Sequence, residues 1–293
     1  MDIIKYDVFT STVNKGNPVG IIPHGDEYDD EMKQKIAYIV GYNECCFICK
    51  SDVADYKLRY FTPGYETPLC GHATIGTMKY IIDCLCLNND IDLKIETGAG
   101  ILDIHYNYDA DEILMEQANA TFTPFEGNKE RLLNAIGLSV EDLDTRYPIV
   151  YGSTGSWTTL IPIKTLDSFN RMKPNNSIFP SILKEMPRAS IHPFTLECYD
   201  QKSDMHGRHF SSCYSGTIED SVTGTASGVM SAYYLKYIKC SNEVDIMIEQ
   251  GNEINKEGYV HGYACSDNNE IRVKISGTAV KSKVFKIDLT ETV

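Results

Sequence analysis

The residues able to move protons or hold anions gather at two places in the chain. One is Cys70, Gly71 and His72 in "FTPGYETPLCGHATIGTMKY", residues 61–80, where a thiol and an imidazole flank a glycine just as an apolar, helix-like run begins. The other is Asp220, Thr223, Gly224 and Thr225 in "EDSVTGTAS", residues 219–227, at the start of a second such run. A helix that opens at a Gly-His or Gly-Thr step has unpaired N–H groups in its first turn and the positive end of its dipole beside them. Each point is therefore suited to an anion such as a substrate carboxylate.

The elements that must position these residues repeat. Residues 66–98 laid over residues 219–251, without a gap and at a constant offset of 153, agree at nine positions: Glu66/Glu219, Gly71/Gly224, Ala73/Ala226, Tyr80/Tyr233, Asn89/Asn242, Asp92/Asp245, Ile95/Ile248, Glu96/Glu249 and Gly98/Gly251. Average residue usage would give about two. Upstream, "LRYFT" at 58–62 corresponds to "GRHFS" at 207–211, with four more residues before the second motif. In each half the pattern predicts a strand ("DYKLRYF", "TTLIPI"), the glycine-led loop, a helix of about four turns ending near Asn88 or Ser241, and a further strand at "IDLKIE" or "VDIMIE". The acidic start of "YDDEMKQKIAYIVGY" and Met32, Ile36 and Ile39 at helical spacing predict a first helix ending near Gly41, followed by a strand at "NECCFI". "YNYDADE" and "CSDNNE" read as hairpin turns, so strands outnumber helices and the class is α+β, not doubly wound. Two related halves facing each other would bring both helix starts to one cleft.

The whole-chain properties narrow the partners. The chain has 293 residues, 42% hydrophobic and 23% charged, enough for one large domain or two smaller ones. A formal charge of −14 with no Lys/Arg-rich block excludes the electrostatic footprint that nucleic acid or an anionic membrane requires. No signal-peptide core or membrane-length apolar run is present, which predicts a cytoplasmic protein. The ten cysteines are then expected to be reduced thiols. Cys46 and Cys49 form a lone C-x-x-C on a strand, where an odd spacing points the sulfurs to opposite faces, so no metal site is predicted. Cys84 and Cys86, on the predicted helix, read as packing residues. Among the histidines only His206 and His209 stand at ligand spacing.

Five landmarks taken together, "GNPVGII" at 16–22, "NECCF" at 43–47, "FTPGYETPLCGHAT" at 61–74, "STG" at 153–155 and "EDSVTGTAS", resemble the PhzF-like phenazine-biosynthesis isomerase family in order and spacing along nearly the whole chain. That resemblance implies the diaminopimelate epimerase-like fold: two pseudo-twofold-related halves, each a strand barrel or curled sheet around a central helix. The halves would be residues 1–120, completed by a C-terminal strand at 280–293, and residues 121–279, with the active site in the cleft between them. It also implies proton transfer without a cofactor or metal on a small carboxylate-bearing metabolite, and a homodimer. The family's acid/base glutamate falls on Glu44, with Asn43 where the family has a serine. Its histidine falls on His72 and its aspartate on Asp220, with Ser221 in place of the usual proline. Gly71, Gly224, Thr225, Asn17, Cys70 and Thr223 are then expected to contact substrate. Two other readings use the same fold: a binding protein without catalysis, and a cysteine-assisted racemase using Cys70. The second lacks its partner thiol, because the repeat places Thr223 where the second cysteine would stand.

Overall fold

The computed structural model describes residues 1–268 and 270–289, and the chain separates into two compact units. The first consists of Met1–Glu116 and the chain from Ser276 onward; the second is Gln117–Ile275. Of the expected C-terminal strand at 280–293, Ala279–Lys286 is a strand and residues 290–293 lie outside the described part, as does residue 269 of the "CSDNNE" turn.

In the first unit a curled, mixed sheet surrounds one helix. The N-terminal strand Asp2–Val8 pairs antiparallel with Asn17–Ile22 on one side and with Ala279–Lys286 on the other. Asn17–Ile22 runs parallel to Glu44–Cys49, which pairs antiparallel with Tyr56–Phe61. Tyr56–Phe61 is also parallel to Ile91–Thr97, and a hairpin series through Gly100–Asn107 and Glu112–Glu116 follows. The helix Gly71–Leu85 packs on five of these strands and is buried at every position from Gly71 to Lys79, as a helix that is apolar on all sides must be. Gly76 lets the sheet approach: a Cβ there would come within 2.7 Å of methyl groups of Val8 and Val19. The outer helix Asp30–Val40 starts where the Asp29 carboxylate accepts from the Met32 N–H and stops at left-handed Gly41. It covers the other face of Glu44–Cys49, packing Ile36 and Ala37 with Cys45, Phe47 and Cys49. Cys46 points the opposite way, toward Thr77 of the central helix. Burial lifts the Cys46 thiol to about 12 and the Cys49 thiol to about 11, so both remain protonated packing groups near neutral pH.

The second unit repeats this plan around Gly224–Tyr233, which packs against Val150–Ser153, Glu243–Gln250 and Gly258–Asp267. Val229, Met230 and Tyr233 meet Leu160, Phe194, Met205, Ile246 and Ile248 in one core cluster. A second cluster, with Phe169, Phe179 and Phe210 at its centre, fills the space under the short helices of residues 129–182, and Trp157 packs against it.

The register makes the internal repeat physical. Tyr56 and Lys57 stand beside Ile95 and Glu96; Met205 and His206 stand beside Ile248 and Glu249 in the same parallel pairing. The antiparallel pairs Tyr60/Thr67 and Phe61/Glu66 recur as His209/Asp220 and Phe210/Glu219. Two ion pairs are therefore carried in both units. Arg59 donates through Nε and Nη2 to the two oxygens of Glu66, both at 2.7 Å, and Arg208 does the same to Glu219 at 2.9 and 2.7 Å. Lys57 pairs with Glu96 at 2.7 Å, and its counterpart His206 pairs with Glu249 at 3.1 Å.

Two features differ from the sequence expectation. The central helices end at Leu85 and, through a π-helical segment Tyr234–Lys239, at Lys239, each followed by a left-handed cysteine, Cys86 or Cys240, both with φ of 51°. The π segment takes up one extra residue, and a shorter connection to Glu243 restores the offset at the next strand. Cys84 and Cys86 are exposed and do not pack, because the last helical turn clears the sheet. The histidine pair at ligand spacing also separates. His206 lies between Glu249 and Glu253, and His209 contacts His192.

The two arginine pairs differ in burial, with side-chain exposures of 8% and 11% for Arg208 and Glu219 against 21% and 41% for Arg59 and Glu66. Arg208 also donates to the Phe169 carbonyl at 2.8 Å. Arg208→Leu strands a buried carboxylate and is expected to lower the unfolding free energy by roughly 3–5 kcal/mol. Arg59→Leu is expected to cost about 1 kcal/mol or less. Urea unfolding of the two variants measures the difference, and equal costs would refute it.

His206 has no exposed side-chain surface, and its two nitrogens face Glu249 at 3.1 Å and Glu253 at 3.0 Å. Burial alone would lower its pKa, but the hydrogen bonds and charges of both glutamates outweigh that and raise it above 6.5. The imidazolium in turn holds Glu253 below 4.5 despite its burial. The histidine's contribution to stability is complete below about 6.5 and lost as pH rises through the raised value; that of Glu253 is complete above about 4.5 and lost as pH falls. Unfolding free energy measured in urea from pH 6 to pH 9 should therefore fall more steeply for wild type than for His206→Gln. Parallel curves would show that His206 is not charged in the fold.

Candidate functional site

In the first unit the fold brings Glu44, Cys70 and His72 together. Glu44 opens the strand Glu44–Cys49, in register with Val19 of the neighbouring parallel strand, so it sits two residues along from buried Asn17. Cys70 is the cap residue of the central helix, in extended conformation, and its side chain makes no capping bond to the first turn. His72 follows one residue inside the helix, buried. Its ring lies between the other two side chains, with Nδ1 3.3 Å from the Cys70 sulfur and Nε2 3.4 Å from Oε2 of Glu44. A thiol, an imidazole and a carboxylate thus stand in series. Beside them Gly71 has open space where a Cβ would be, with nothing within 4 Å.

What fixes this helix start lies one layer deeper. Thr74 donates its hydroxyl to the Cys70 carbonyl at 2.8 Å, and the Tyr60 hydroxyl lies 2.7 Å from the Thr74 oxygen. With the Thr74 proton committed to the carbonyl, Tyr60 is the donor in that contact. Burial raises the Tyr60 pKa well above 10, so the phenol keeps its proton.

In the second unit Asp220, Thr223, Gly224 and Thr225 are also brought together. Thr223 is the cap residue, and its hydroxyl donates to Oδ2 of Asp220 at 2.6 Å. Gln250 closes the arrangement: its amide donates to the Asp220 carbonyl at 2.7 Å and contacts the Thr223 hydroxyl oxygen at 3.3 Å, while its carbonyl accepts from the Thr223 N–H at 3.3 Å. Ser227 repeats the role of Thr74 by donating to the Thr223 carbonyl at 3.0 Å. Thr154, of the "STG" landmark, donates to the Thr225 carbonyl at 3.0 Å. Asp220 is therefore not a helix cap; it is held by the cap residue.

Among the described residues, Glu44, Cys70 and His72 are the group of three whose donor atoms, all within 4.8 Å of one another, could hold a metal ion. The donor types suit a zinc-like cation. The imidazole, however, offers a different nitrogen to each partner, so a cation bound by all three would take one nitrogen and break the contact at the other. As it stands, the imidazole hydrogen-bonds the thiol through Nδ1 and turns Nε2 to the carboxylate at ion-pair distance.

Sequence reasoning missed Tyr60, Thr74, Gln250, Thr154 and the buried His192, and gave the partly buried His209 no place beside Asp220. The repeat carried a signal for some of them. Gln250 replaces Thr97 between the identical Glu249 and Gly251, and His209 stands at the place of Tyr60.

Comparison with known proteins agrees with this architecture. The profile of the family described as phenazine biosynthesis-like protein, PhzC-PhzF, matches residues 6–284. An uncharacterized isomerase of Bacillus subtilis, YfhB, is 45% identical over 290 residues, covering 98% of this chain and 99% of its own. A crystal structure of a Bacillus anthracis phenazine biosynthesis protein of the PhzF family is 50% identical, with a TM-score of 0.95 and 99% of each chain covered. A trans-2,3-dihydro-3-hydroxyanthranilate isomerase of Pseudomonas fluorescens is 25% identical over 283 residues, 94% of each chain. With a profile spanning nearly its full length, a shared fold and relatives named as isomerases, this chain belongs to the PhzC-PhzF family and is an isomerase.

Proposed function

We propose that the protein moves a proton between carbon atoms of a small carboxylate-bearing metabolite without a cofactor, and that Glu44 is the group that removes the proton and returns it. The observation that carries this reading is the placement of the Glu44 carboxylate 3.4 Å from the His72 imidazole, at the start of a buried helix. Such an isomerisation breaks one C–H bond and forms another, so a single group that cycles between base and acid closes the balance of atoms and charge. His72 steadies Glu44 in both protonation states, because an imidazole nitrogen can accept from the acid or donate to the carboxylate. The negative charge that develops on the substrate needs fixed donors, a role suited to the backbone N–H groups at Gly71 and Gly224.

On the family resemblance, Asp220 serves the same reaction as a second proton-handling residue, while Thr223 and Thr225 contact substrate together with Asn17 and Cys70. The Pseudomonas relative's substrate, an amino- and hydroxy-substituted ring carboxylate, suggests that a compact carboxylate of similar size is the class to search.

The contact of Cys70 with His72 supports a second reading, in which a thiolate formed by His72 does the work of the glutamate. Deuterium incorporation separates the two. A panel of small carboxylic and amino acids is incubated with the protein in heavy water and followed by mass spectrometry. For a compound that exchanges, Glu44→Gln is expected to slow incorporation by about 10²–10⁴-fold, the usual worth of a general acid/base. Cys70→Ser is expected to stay within a few-fold of wild type. Glu44→Gln turning over at near the wild-type rate would remove Glu44 from the role, and a collapse confined to Cys70→Ser would transfer it to the thiol.

A further inference from the structure

Behind Asp220 the second unit holds two histidines for which the proposed reaction has no use. His192 lies in the middle of Ser190–Thr195, a strand buried at all six positions, and its own side chain is fully buried. His209 lies on the short strand His209–Phe210, which pairs with both Ser190–Thr195 and Glu219–Asp220, and it stands directly opposite Asp220. The two rings meet through Nδ1 and Nδ1 at 3.1 Å. The Nε2 of His192 is buried and has no hydrogen-bond partner among the described residues. Room for that ring edge depends on Gly207, where a Cβ would come within 2.6 Å of Nε2.

These contacts decide where the protons are. Burial holds the pKa of His192 well below its usual value, reinforced by the charges of His209 and His206, and burial also lowers His209 against the opposing pull of Asp220. Both rings are therefore neutral near pH 7, each with one proton, and an Nδ1–Nδ1 contact requires one ring to donate and the other to accept. If His209 donated, His192 would carry its proton on the buried, partnerless Nε2, and an orphaned buried N–H is tolerated less often in folded proteins than an orphaned acceptor. The same choice would leave Nε2 bare on a ring that stands opposite Asp220 in the strand register and lies within reach of its charge. If His192 donates, its orphaned atom is an acceptor and the proton of His209 sits on Nε2.

We infer that His192 is a positioning residue that locks His209 in the Nε2–H tautomer, so that His209 presents a hydrogen-bond donor toward Asp220. Together with the Thr223 hydroxyl, which donates to Oδ2 at 2.6 Å, this fixes the orientation of the Asp220 side chain. The inference deepens the reading that Asp220 serves the reaction. His209 is the second unit's counterpart of Tyr60, so the same sheet position carries a donor in both units: a phenol behind Thr74, an imidazole behind Asp220.

The tautomers are read directly from long-range ¹H–¹⁵N correlation spectra of the full-length protein labelled with ¹⁵N-histidine, at neutral pH and without ligand. The expected spectrum has His209 as the Nε2–H form and His192 as the Nδ1–H form. His192→Phe should release His209 into a mixture of tautomers. His192→Asn, whose amide nitrogen can take the place of Nδ1, should restore the Nε2–H form. Should His192→Phe fail to fold, Gly207→Ala provides the second perturbation, since its methyl group displaces the His192 ring and should also loosen the His209 tautomer. An Nδ1–H form of His209 in wild type, or a His209 tautomer indifferent to the His192→Phe and Gly207→Ala changes, would overturn the inference. Glu44→Gln, which tests the proton-transfer reading, should leave this tautomer pattern untouched, so the two can fail separately.

Discussion

Each unit of this protein depends on one constraint: a helix buried on nearly every side must have its N-terminal turn fixed by the sheet around it. A surface helix can leave its first N–H and last C=O groups to water. Gly71–Leu85 and Gly224–Tyr233 cannot do so along most of their length, since their side chains are enclosed almost throughout. Both units answer with the same device, a hydroxyl one turn into the helix (Thr74 or Ser227) returned to the carbonyl of the cap residue. That bond fixes the cap residue's backbone while leaving its side chain uncommitted to the helix. Cys70 and Thr223 are accordingly available to meet His72 and Asp220.

The repeat explains how one scaffold supports two chemically different helix starts. Positions that carry folding energy are retained in kind, as in the bidentate Arg59–Glu66 and Arg208–Glu219 pairs. Positions around the helix start diverge: Cys70 and His72 face Thr223 and Thr225 across the alignment, and Tyr60 faces His209. The Lys57–Glu96 pair shows the intermediate case. Half-exposed in the first unit, it becomes the enclosed His206–Glu249 contact in the second, with Glu253 added and the Tyr199 and Asp200 N–H groups donating to Glu249. A lysine ammonium at an enclosed position would need three acceptors, whereas an imidazolium is satisfied by the two carboxylates present.

Much of this was legible in the sequence, for physical reasons that differ from residue to residue. The offset of 153 survives because strand pairing and helix packing tolerate no net slip between Glu66 and Gly98 or between Glu219 and Gly251. The grouping of Glu44 with His72 was legible only through the family resemblance, because the two belong to different elements and nothing in their spacing announces a contact. The π segment was hidden, since an extra residue compensated by a shorter connection leaves the alignment ungapped. Cys84 and Cys86 were misread because apolar periodicity continues past the point at which the helix leaves the sheet. Gln250 and His192 act across 27 and 17 residues of separation respectively, on Thr223 and His209, distances at which a single sequence carries no pattern.

The placement of the ionisable groups follows the same logic. An active site that moves protons needs groups able to change charge, and these are costly to enclose; several of the enclosed groups have their protonation settled by burial or by a partner. Tyr60, Cys45 and Cys46 are held protonated by burial, His192 is held neutral by it, and His206 is held charged by its two glutamates. Glu44 and Cys70, by contrast, keep part of their surface exposed at the helix start. The settled groups form a fixed electrostatic frame within each unit, and Glu44 and Cys70 stand at a partly exposed edge of the first. On the proposal that Glu44 carries the proton, that division puts proton exchange where substrate can reach it and keeps the supporting hydrogen bonds from changing sense during turnover.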